Sequence, residues 1–289
     1  MAFKLGSTEI NKVYLGSTEI NSIYLGSTEV YSGVSFDADA QAYFTAVETA
    51  GGTLSNDFKT YYNTMILGLK SDGVYSKLLR FNPNAGGVEA SAEVDQIIPS
   101  TNNINFVNSP TIDSTIGVTF NGSNQYATTG FVPSTEYSSA DNWQTFVFCL
   151  DNTGISTNQA ISGAYQGLSQ LVRLWSRFSS RVMINGYANG RQAYSIGAIN
   201  NNSLILGSRT SYTQLDIYIN ATSEGSDTGN NANAPSIEEY YGTYNNNGTP
   251  ASYTTGKWCF LGKAENMTGT DVGNLYARIT TFLTAIGAI

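Results

Sequence analysis

The chain has 289 residues, of which 41% are apolar and only 12% are charged, and its formal net charge is −8. This apolar share is typical of a globular protein, and the few Lys and Arg residues, scattered along the sequence, disfavour a nucleic-acid partner and binding to an anionic membrane by charge. The sequence contains no His, which excludes Ser-His-Asp and Cys-His catalysis and His-ligated zinc.

The N-terminal segment repeats one ten-residue unit, with LGSTEI at 5–10 and 15–20 and LGSTEV at 25–30. Strand-forming residues alternate with Gly-Ser-Thr, which predicts short strands joined by turns. Because so short a unit cannot build its own core, it must stack on its neighbours or on another chain. We predict that residues 1–33 are an assembly element with a buried stripe of Leu5, Val13, Tyr14, Leu15, Ile23, Tyr24 and Leu25. The alternative is a ribbon packed on its own domain.

Residues 34–81 have the pattern of a helical hairpin. Helix formers from Asp37 to Ala50 predict a first helix that ends at a Gly-Gly pair. Ser55 is a suitable N-cap for a second helix, and Gly73 is a natural residue just beyond its C-terminus. A short third helix is predicted over Tyr75–Arg80.

Residues 82–289 read as a β domain, because short apolar runs alternate with turn residues and no long helix intervenes. The predicted strands cover Asn105–Val107, Gly117–Phe120, Gln125–Thr128, Trp143–Leu150, Gln170–Trp175, Arg181–Ile184, Leu204–Leu206, Gln214–Ile219 and Trp258–Gly262. Ser223–Asn233 and Tyr244–Thr255 are predicted loops. A closing amphipathic helix is predicted from an N-cap at Thr270 to Gly287. The fold class is therefore mainly β, an antiparallel β-sandwich with a small helical segment.

The carboxylates do not form a pattern that indicates catalysis. Glycosidases need two carboxylates held at a defined separation, and the nearest match is Glu93-Val-Asp95, with no third acid. Glu238 and Glu239 are adjacent and would face opposite ways on a strand. We interpret all four as solvated surface acids and predict no catalytic residue.

No metal or cofactor site is predicted. Asp37 and Asp39 resemble half of a calcium loop, but the further acids are missing, so we assign them to the first turn of a helix. Cys149 and Cys259 lie in apolar strand-like runs and are interpreted as buried free thiols. A disulfide between them stays open.

Aromatic residues are the best indication of ligand binding. Tyr240, Tyr241, Tyr244 and Tyr253 flank a segment rich in Gly and Asn, and we predict them as ligand contacts. Aromatic faces stack on sugar rings or anchor protein interfaces. The alternative is that they belong to the core or the surface of the sandwich.

Several segments together resemble tailed-bacteriophage virion proteins. The repeat at 5–30 resembles an N-terminal element of phage structural and fibre proteins. GVTFNGSNQYATTGFVP at 117–133 is similar to a strand pair of the laminin-G or concanavalin-like jelly roll in phage proteins. Residues 39–44 and 69–79 resemble the helical module that precedes this jelly roll, and residues 274–287 its closing helix. The resemblance implies a lectin-like jelly roll in 82–289, although no calcium-binding carboxylate motif of glycan-binding lectins is present.

The favoured function is a non-enzymatic virion structural protein, a head or tail fibre or decoration subunit that is anchored to capsid or tail proteins through residues 1–33. Fibres close with cyclic symmetry, so we expect a homotrimer before a dimer. The N-terminus lacks the apolar segment of a secretory signal and no stretch is long enough to span a membrane, so we expect synthesis in the host cytoplasm, release on lysis and no membrane insertion. The alternative is an adhesin module that binds host or mucosal glycans, with a polysaccharide-degrading enzyme third.

Overall fold

The computed structural model describes residues 4–5, 8–9, 13–15, 18–20, 22–25, 28–32, 35–101, 103–186, 192–196, 199–229 and 233–289. Side chains are described from residue 35 onward, with the exception of Ile196. The chain forms two compact units, Met1–Ala38 and Asp39–Ile289.

In the first unit, the described strands form antiparallel hairpins, and each decapeptide supplies one of them. The strands are β1 (Lys4–Leu5), β2 (Thr8–Glu9), β3 (Val13–Leu15), β4 (Thr18–Ile20), β5 (Ser22–Leu25) and β6 (Thr28–Ser32). Leu5 pairs with Thr8, and an equivalent Leu–Thr pair occurs in each of the other hairpins. The predicted strands are thus confirmed at the backbone, and the predicted Gly-Ser-Thr turns fall largely on residues outside the described ones. The side chains of the predicted stripe lie outside the described residues: Leu5, Val13, Tyr14, Leu15, Ile23, Tyr24 and Leu25.

The second unit combines five helices with two sheets within the described ranges. The helices are α1 (Ala38–Thr49), α2 (Asn56–Ser71), α3 (Glu89–Ala92), α4 (Pro133–Glu136) and α5 (Gly269–Ala285), with a 3-10 helix at Tyr75–Lys77. The strands are β7 (Leu78–Asn82), β8 (Asn105–Val107), β9 (Thr111–Ile112), β10 (Val118–Asn121), β11 (Tyr126–Thr128), β12 (Trp143–Asp151), β13 (Gln159–Tyr165), β14 (Leu171–Phe178), β15 (Arg181–Asn185), β16 (Gln192–Ile196), β17 (Ser203–Ser211), β18 (Gln214–Ile219), β19 (Thr222–Asp227), β20 (Tyr240–Tyr241), β21 (Tyr244–Asn246), β22 (Thr249–Ala251) and β23 (Thr255–Ala264). Among the described residues, no helix combines the length and the hydropathy that a membrane crossing needs.

The strands form two sheets that enclose one apolar core, which confirms the predicted β-sandwich. Sheet I has the order β19-β18-β17-β12-β23-β10-β9, with β7 also paired to β23. Sheet II has the order β16-β15-β14-β13-β20-β11-β8, and β21 joins β13 in a parallel pair. Trp143 and Trp258 of sheet I pack in the same buried cluster as Leu174, Ile184 and Tyr241 of sheet II. The alternate side chains of sheet II therefore point away from this core, to its outer face.

A helical layer covers the outer face of sheet I. Phe282 of α5 packs against Phe58 of α2 at 5.2 Å between ring centroids and against Phe260 of β23 at 5.9 Å. Arg278 of α5 forms an ion pair with Asp72 at 2.8 Å, just beyond the end of α2. The helices of residues 34–81 therefore pack on the sandwich, in the same compact unit.

The helix boundaries follow their caps. Ser55 caps α2 as predicted, because its Oγ accepts a hydrogen bond from the backbone N–H of Phe58 at 3.1 Å. The prediction of Thr270 as the N-cap of α5 was wrong: Thr268 occupies that position. Its hydroxyl accepts from the N–H of Asp271, whose carboxylate accepts in return from the N–H of Thr268 at 2.6 Å, so both orphan donors are satisfied.

Three elements differ from the sequence prediction because strand pairing determined their structure. The third helix was expected over Tyr75–Arg80, but it shortens to a 3-10 helix because Leu78–Asn82 pairs with β23. Ser223–Asn233 was expected to be a loop and instead contributes most of β19, a polar edge strand on β18. Tyr244–Thr255 was also expected to be a loop, and it contains the hairpin of β21 and β22.

Candidate functional site

Aromatic side chains gather on the outer face of sheet II. The register aligns Trp175 of β14 with Met183 of β15, and Met183 with Tyr194 of β16. Trp175 and Met183 form a small buried cluster separate from the sandwich core, and Tyr194 and Tyr244 pack against it. Tyr244 reaches this cluster because β21 runs parallel to the end of β13. We call the surface formed by Tyr165, Arg173, Trp175, Tyr194 and Tyr244 the aromatic platform.

The guanidinium of Arg173 lies among three aromatic rings of the platform. Its central carbon is 5.1 Å from the ring centroid of Tyr165, 5.1 Å from that of Trp175 and 5.2 Å from that of Tyr244. These distances are those of cation–π contacts. Burial lowers the pKa of Arg173, and the nearby Tyr244 hydroxyl opposes this effect. The guanidinium is nevertheless charged, because arginine is not deprotonated in proteins. Its Nε has no hydrogen-bond partner among the described residues.

Trp175 is the rigid base of the platform. Its side chain is only 4% exposed, and its Nε1–H donates a hydrogen bond to Oδ1 of Asn185 at 2.6 Å, which fixes the ring. The ring centroid lies 5.7 Å from that of Tyr244 and 4.9 Å from that of Phe178. Phe178 is exposed at the edge, while Tyr165 and Tyr244 are partly exposed. A flat ligand can therefore reach ring faces that are already ordered.

Glycine opens the sheet surface beside the platform. The register places Tyr240, Gly163 and Arg173 next to one another on β20, β13 and β14. Gly163 has φ +148°, and a Cβ there would overlap the backbone carbonyl of Val172. Because Gly163 has no side chain, a shallow depression remains in the sheet surface between Tyr240 and Arg173.

The predicted ligand tyrosines separate into three environments. Tyr244 belongs to the platform. Tyr240 and Tyr253 lie in a second aromatic group around Tyr126, with centroid distances of 5.1 and 6.2 Å. Tyr241 was expected at a ligand contact, but it is completely buried in the sandwich core and its hydroxyl donates to Oδ1 of Asn84 at 3.2 Å. Tyr241 pairs with Ala127 of β11, a residue of the same core, so its ring points to the inner face.

Sequence reasoning missed three platform residues, Tyr165, Arg173 and Tyr194. For Arg173 the sequence did carry a signal, because period-two alternation from Leu171 to Trp175 puts Arg173 on the same face as Trp175.

Two of the acids that we interpreted as solvated are buried. Glu239 forms an ion pair with Lys263 at 2.5 Å, and Ser162 donates to the same carboxylate at 3.2 Å. Asp95 accepts hydrogen bonds from the N–H groups of Phe81 and Ile97 at 2.9 and 2.7 Å. Both carboxylates thus satisfy internal donors, which is a structural role.

The other two acids hold backbone groups in place. Glu238 accepts a hydrogen bond from the N–H of Gly130 at 3.0 Å, and Glu93 accepts one from the N–H of Phe106 at 2.8 Å. Among the residues that the structure describes, no cluster of three or more Asp, Glu or Cys side chains is placed to hold a metal ion.

The two cysteines are free and buried, as predicted. Cys149 and Cys259 lie on the adjacent strands β12 and β23. Burial raises the pKa of both thiols above their ordinary value, so both remain protonated near neutral pH.

The comparisons with known proteins concern the fold. No protein-family model and no curated protein match the sequence. A structure of botulinum neurotoxin type C, whose cell entry depends on interaction with two ganglioside molecules, is similar with a TM-score of 0.50 at 10% identity, over 70% of this chain and 51% of that one. Domain 4 of the extracellular arabinanase AbnA from Geobacillus stearothermophilus, bound to arabinotriose, has a TM-score of 0.48 and 13% identity, over 69% of this chain and 98% of that domain. A Trypanosoma rangeli sialidase mutant has a TM-score of 0.49 and 11% identity, over 78% of this chain and 39% of the sialidase chain. The chain therefore has the β-sandwich fold and spans about half of the neurotoxin chain it resembles.

Proposed function

We propose that the sandwich is a glycan-binding module and that sugar rings bind on the aromatic platform. The observation that carries this proposal is the arrangement of Arg173 among Tyr165, Trp175 and Tyr244. The apolar face of a sugar ring stacks on aromatic rings, and its hydroxyls accept hydrogen bonds from a guanidinium. Because the rings and the guanidinium hold one another in place, little side-chain entropy is lost on binding.

The fold and the chemistry of the face support the same ligand class. The neurotoxin of similar fold interacts with gangliosides, which are glycan-bearing molecules. Among the described residues the long helices α2 and α5 pack on sheet I, and Tyr165, Tyr194 and Tyr244 of sheet II are partly exposed. Glycan binding is thus proposed for this chain from its own residues, with the neurotoxin as an analogy.

A glycan array tests this function. The full chain should bind a subset of glycans, and Tyr244→Ala should weaken binding by about tenfold, because it removes a stacking face and frees Arg173. Tyr61→Ala is the matched control, since Tyr61 is an exposed tyrosine on α2 in the helical layer. An array without any bound glycan, or equal losses in the two variants, would contradict the proposal.

We further propose that residues 1–33 fasten this module to a virion. The supporting observation is that each decapeptide forms one hairpin in a unit separate from the sandwich. Three hairpins of two to five residues per strand have little core of their own, so a larger particle supplies the burial they need. The module is then a fibre or decoration subunit of a phage head or tail, and it closes as a homotrimer.

Deletion of residues 1–33 tests the anchoring role. The truncated chain should stay folded by circular dichroism and should no longer be incorporated into particles, as judged by immunogold labelling in electron microscopy. Incorporation of the truncated chain at the level of the full chain would refute the anchor, and sedimentation of the full chain as a monomer would refute the trimer.

We propose that the module is not an enzyme. Glu239 and Asp95 are committed to internal partners, and Glu93 and Glu238 hold backbone N–H groups. Release of reducing ends from host capsule or glycan extracts would overturn this view.

A further inference from the structure

The distribution of charge along the sequence is strongly uneven around the platform. Residues 152–215 contain no Asp, Glu or Lys, and they contain Arg173, Arg177, Arg181, Arg191 and Arg209. The remaining segments carry all 22 acidic residues of a chain with net charge −8. The acid-free segment supplies β13 to β17, which include the strands that form the platform. Three of these arginines, Arg173, Arg177 and Arg181, lie on the adjacent strands β14 and β15 of sheet II.

The fold brings two of these arginines, Arg173 and Arg181, to the outer face of sheet II. Arg173 and Trp175 lie two residues apart on β14, so both side chains point to this face. Arg181 of β15 stacks on Tyr194, with 3.9 Å from its central carbon to the ring centroid. Since Tyr194 packs against the same cluster as Trp175, the stacked guanidinium of Arg181 belongs to the same surface.

These arginines have no carboxylate partner within the described residues, in contrast to the arginines elsewhere. Three arginines elsewhere form ion pairs, Arg80 with Glu136 at 3.1 Å, Arg209 with Asp141 at 3.7 Å and Arg278 with Asp72 at 2.8 Å. For Arg173 and Arg181 the described neighbours are aromatic rings. Arg177, on the opposite face of β14, donates to the backbone carbonyl of Ser179 at 3.2 Å.

A stacked guanidinium is well suited to bind an external anion. Stacking engages the faces of the planar group, and its N–H edges match the two oxygens of a carboxylate or sulfate. The rings also fix the orientation of the guanidinium before binding, so the ligand does not have to order a mobile side chain.

We propose that the aromatic platform selects anionic glycans and that Arg173 binds the carboxylate or sulfate group of the sugar. This inference rests on the glycan-binding function proposed above. Arg181 adds positive charge next to the site. A single-stranded nucleic acid would also stack on tyrosines and arginines. A glycan is favoured because a polyanion that extends beyond the platform would meet the acidic remainder of the chain.

Matched pairs of saccharides test this selection by isothermal titration calorimetry with the full chain. Digalacturonate and its methyl ester share one sugar skeleton and differ in charge, and glucose 6-sulfate and glucose do the same for sulfate; all are short enough to stay on the platform. We expect at least about tenfold tighter binding of one charged member than of its neutral counterpart, because charge-assisted hydrogen bonds are about twice as strong as neutral ones. The preference should weaken as salt is raised. An oligo(dT) strand is the nucleic-acid probe.

The variants assign the preference to the platform. Arg173→Gln should abolish the preference, and Arg181→Gln, which removes the guanidinium stacked on Tyr194, should reduce it several-fold. Arg278→Gln removes the same charge from α5 and should leave the preference unchanged. Circular dichroism melts show which variants are folded, and Arg181→Gln keeps the test valid if Arg173→Gln does not fold.

Each outcome decides a different point. Equal affinity for the charged and neutral members, or a preference that survives both platform variants, overturns the anionic selection and leaves glycan binding intact. Binding of oligo(dT) without any saccharide overturns both the selection and the glycan-binding function. Failure of all these probes to bind a folded chain contradicts the selection, and the glycan array then decides the function separately.

Discussion

The ion pair between Lys263 and Glu239 lies inside the sandwich, and its loss should cost far more stability than the loss of a similar pair at the surface. The side chains are 1% and 0% exposed and their charged atoms are 2.5 Å apart. The Lys263 ammonium also donates to the hydroxyl of Thr145 at 2.7 Å. Burial lowers the pKa of Lys263, and the attraction of Glu239 opposes that effect.

The expected cost follows from the charge that is left behind. Lys263→Met leaves the Glu239 carboxylate buried, with Ser162 as a remaining donor. Removal of one partner from a buried pair costs about 3–5 kcal/mol, which in a unit of this size lowers Tm by roughly 6–20 °C. The double variant Lys263→Met, Glu239→Leu removes both charges and should recover most of that loss, because a buried pair is often replaceable by apolar residues.

The matched control is Lys257→Met on the same strand. Lys257 pairs with Asp113 at 2.7 Å, but these side chains are 27% and 35% exposed, so its loss should cost less than about 1 kcal/mol. Urea denaturation monitored by circular dichroism measures all three variants against the wild-type chain. Equal losses for the two single variants, or a double variant as unstable as Lys263→Met, would refute this account of the buried pair.

Two further perturbations test packing and capping. Gly262→Ala should lower the free energy of unfolding by about 1–3 kcal/mol, because the new Cβ would overlap the ring of Phe146. Gly273→Ala in α5 has room and should raise it by about 0.5–1 kcal/mol; equal effects in chemical denaturation would contradict the packing. Burial acts to raise the pKa of Asp271, but hydrogen bonds, first from Lys77, outweigh it and hold the pKa below its usual value. Asp271→Asn should therefore cost about 1 kcal/mol at pH 7, and this difference should vanish as pH falls through the lowered pKa; a difference that persists at pH 2 would count against it.

Much of the fold can be predicted from local pattern, because many elements follow their own residues. Ser55 and Gly73 define α2, and the apolar run at 143–150 becomes β12, the centre of sheet I. Strand β13 has no such signal, because Ala, Ser and Gly make up most of it. This segment is a strand because its backbone pairs with β14 and β20 on either side. Strand β19 is polar and likewise depends on its partner.

The candidate site could be predicted only in part. Tyr244 was predicted as a ligand contact, but its contact with Trp175 depends on the parallel pairing of β13 with β21, which no local pattern reports. The burial of Glu239 could not be predicted either, because it depends on a tertiary contact: its partner Lys263 lies on the other sheet. Tyr241 shows the converse error, where a Tyr-Tyr pair on one strand must send its side chains to opposite faces.

The most direct test of the central claim is the location of a bound sugar. A crystal structure of the full chain with its strongest array ligand should show a sugar ring stacked on Tyr165 or Tyr244, with a charged group within hydrogen-bond distance of Arg173. A sugar bound elsewhere, such as in the polar cleft lined by Ser134 and Gln170, with the platform empty, would contradict it.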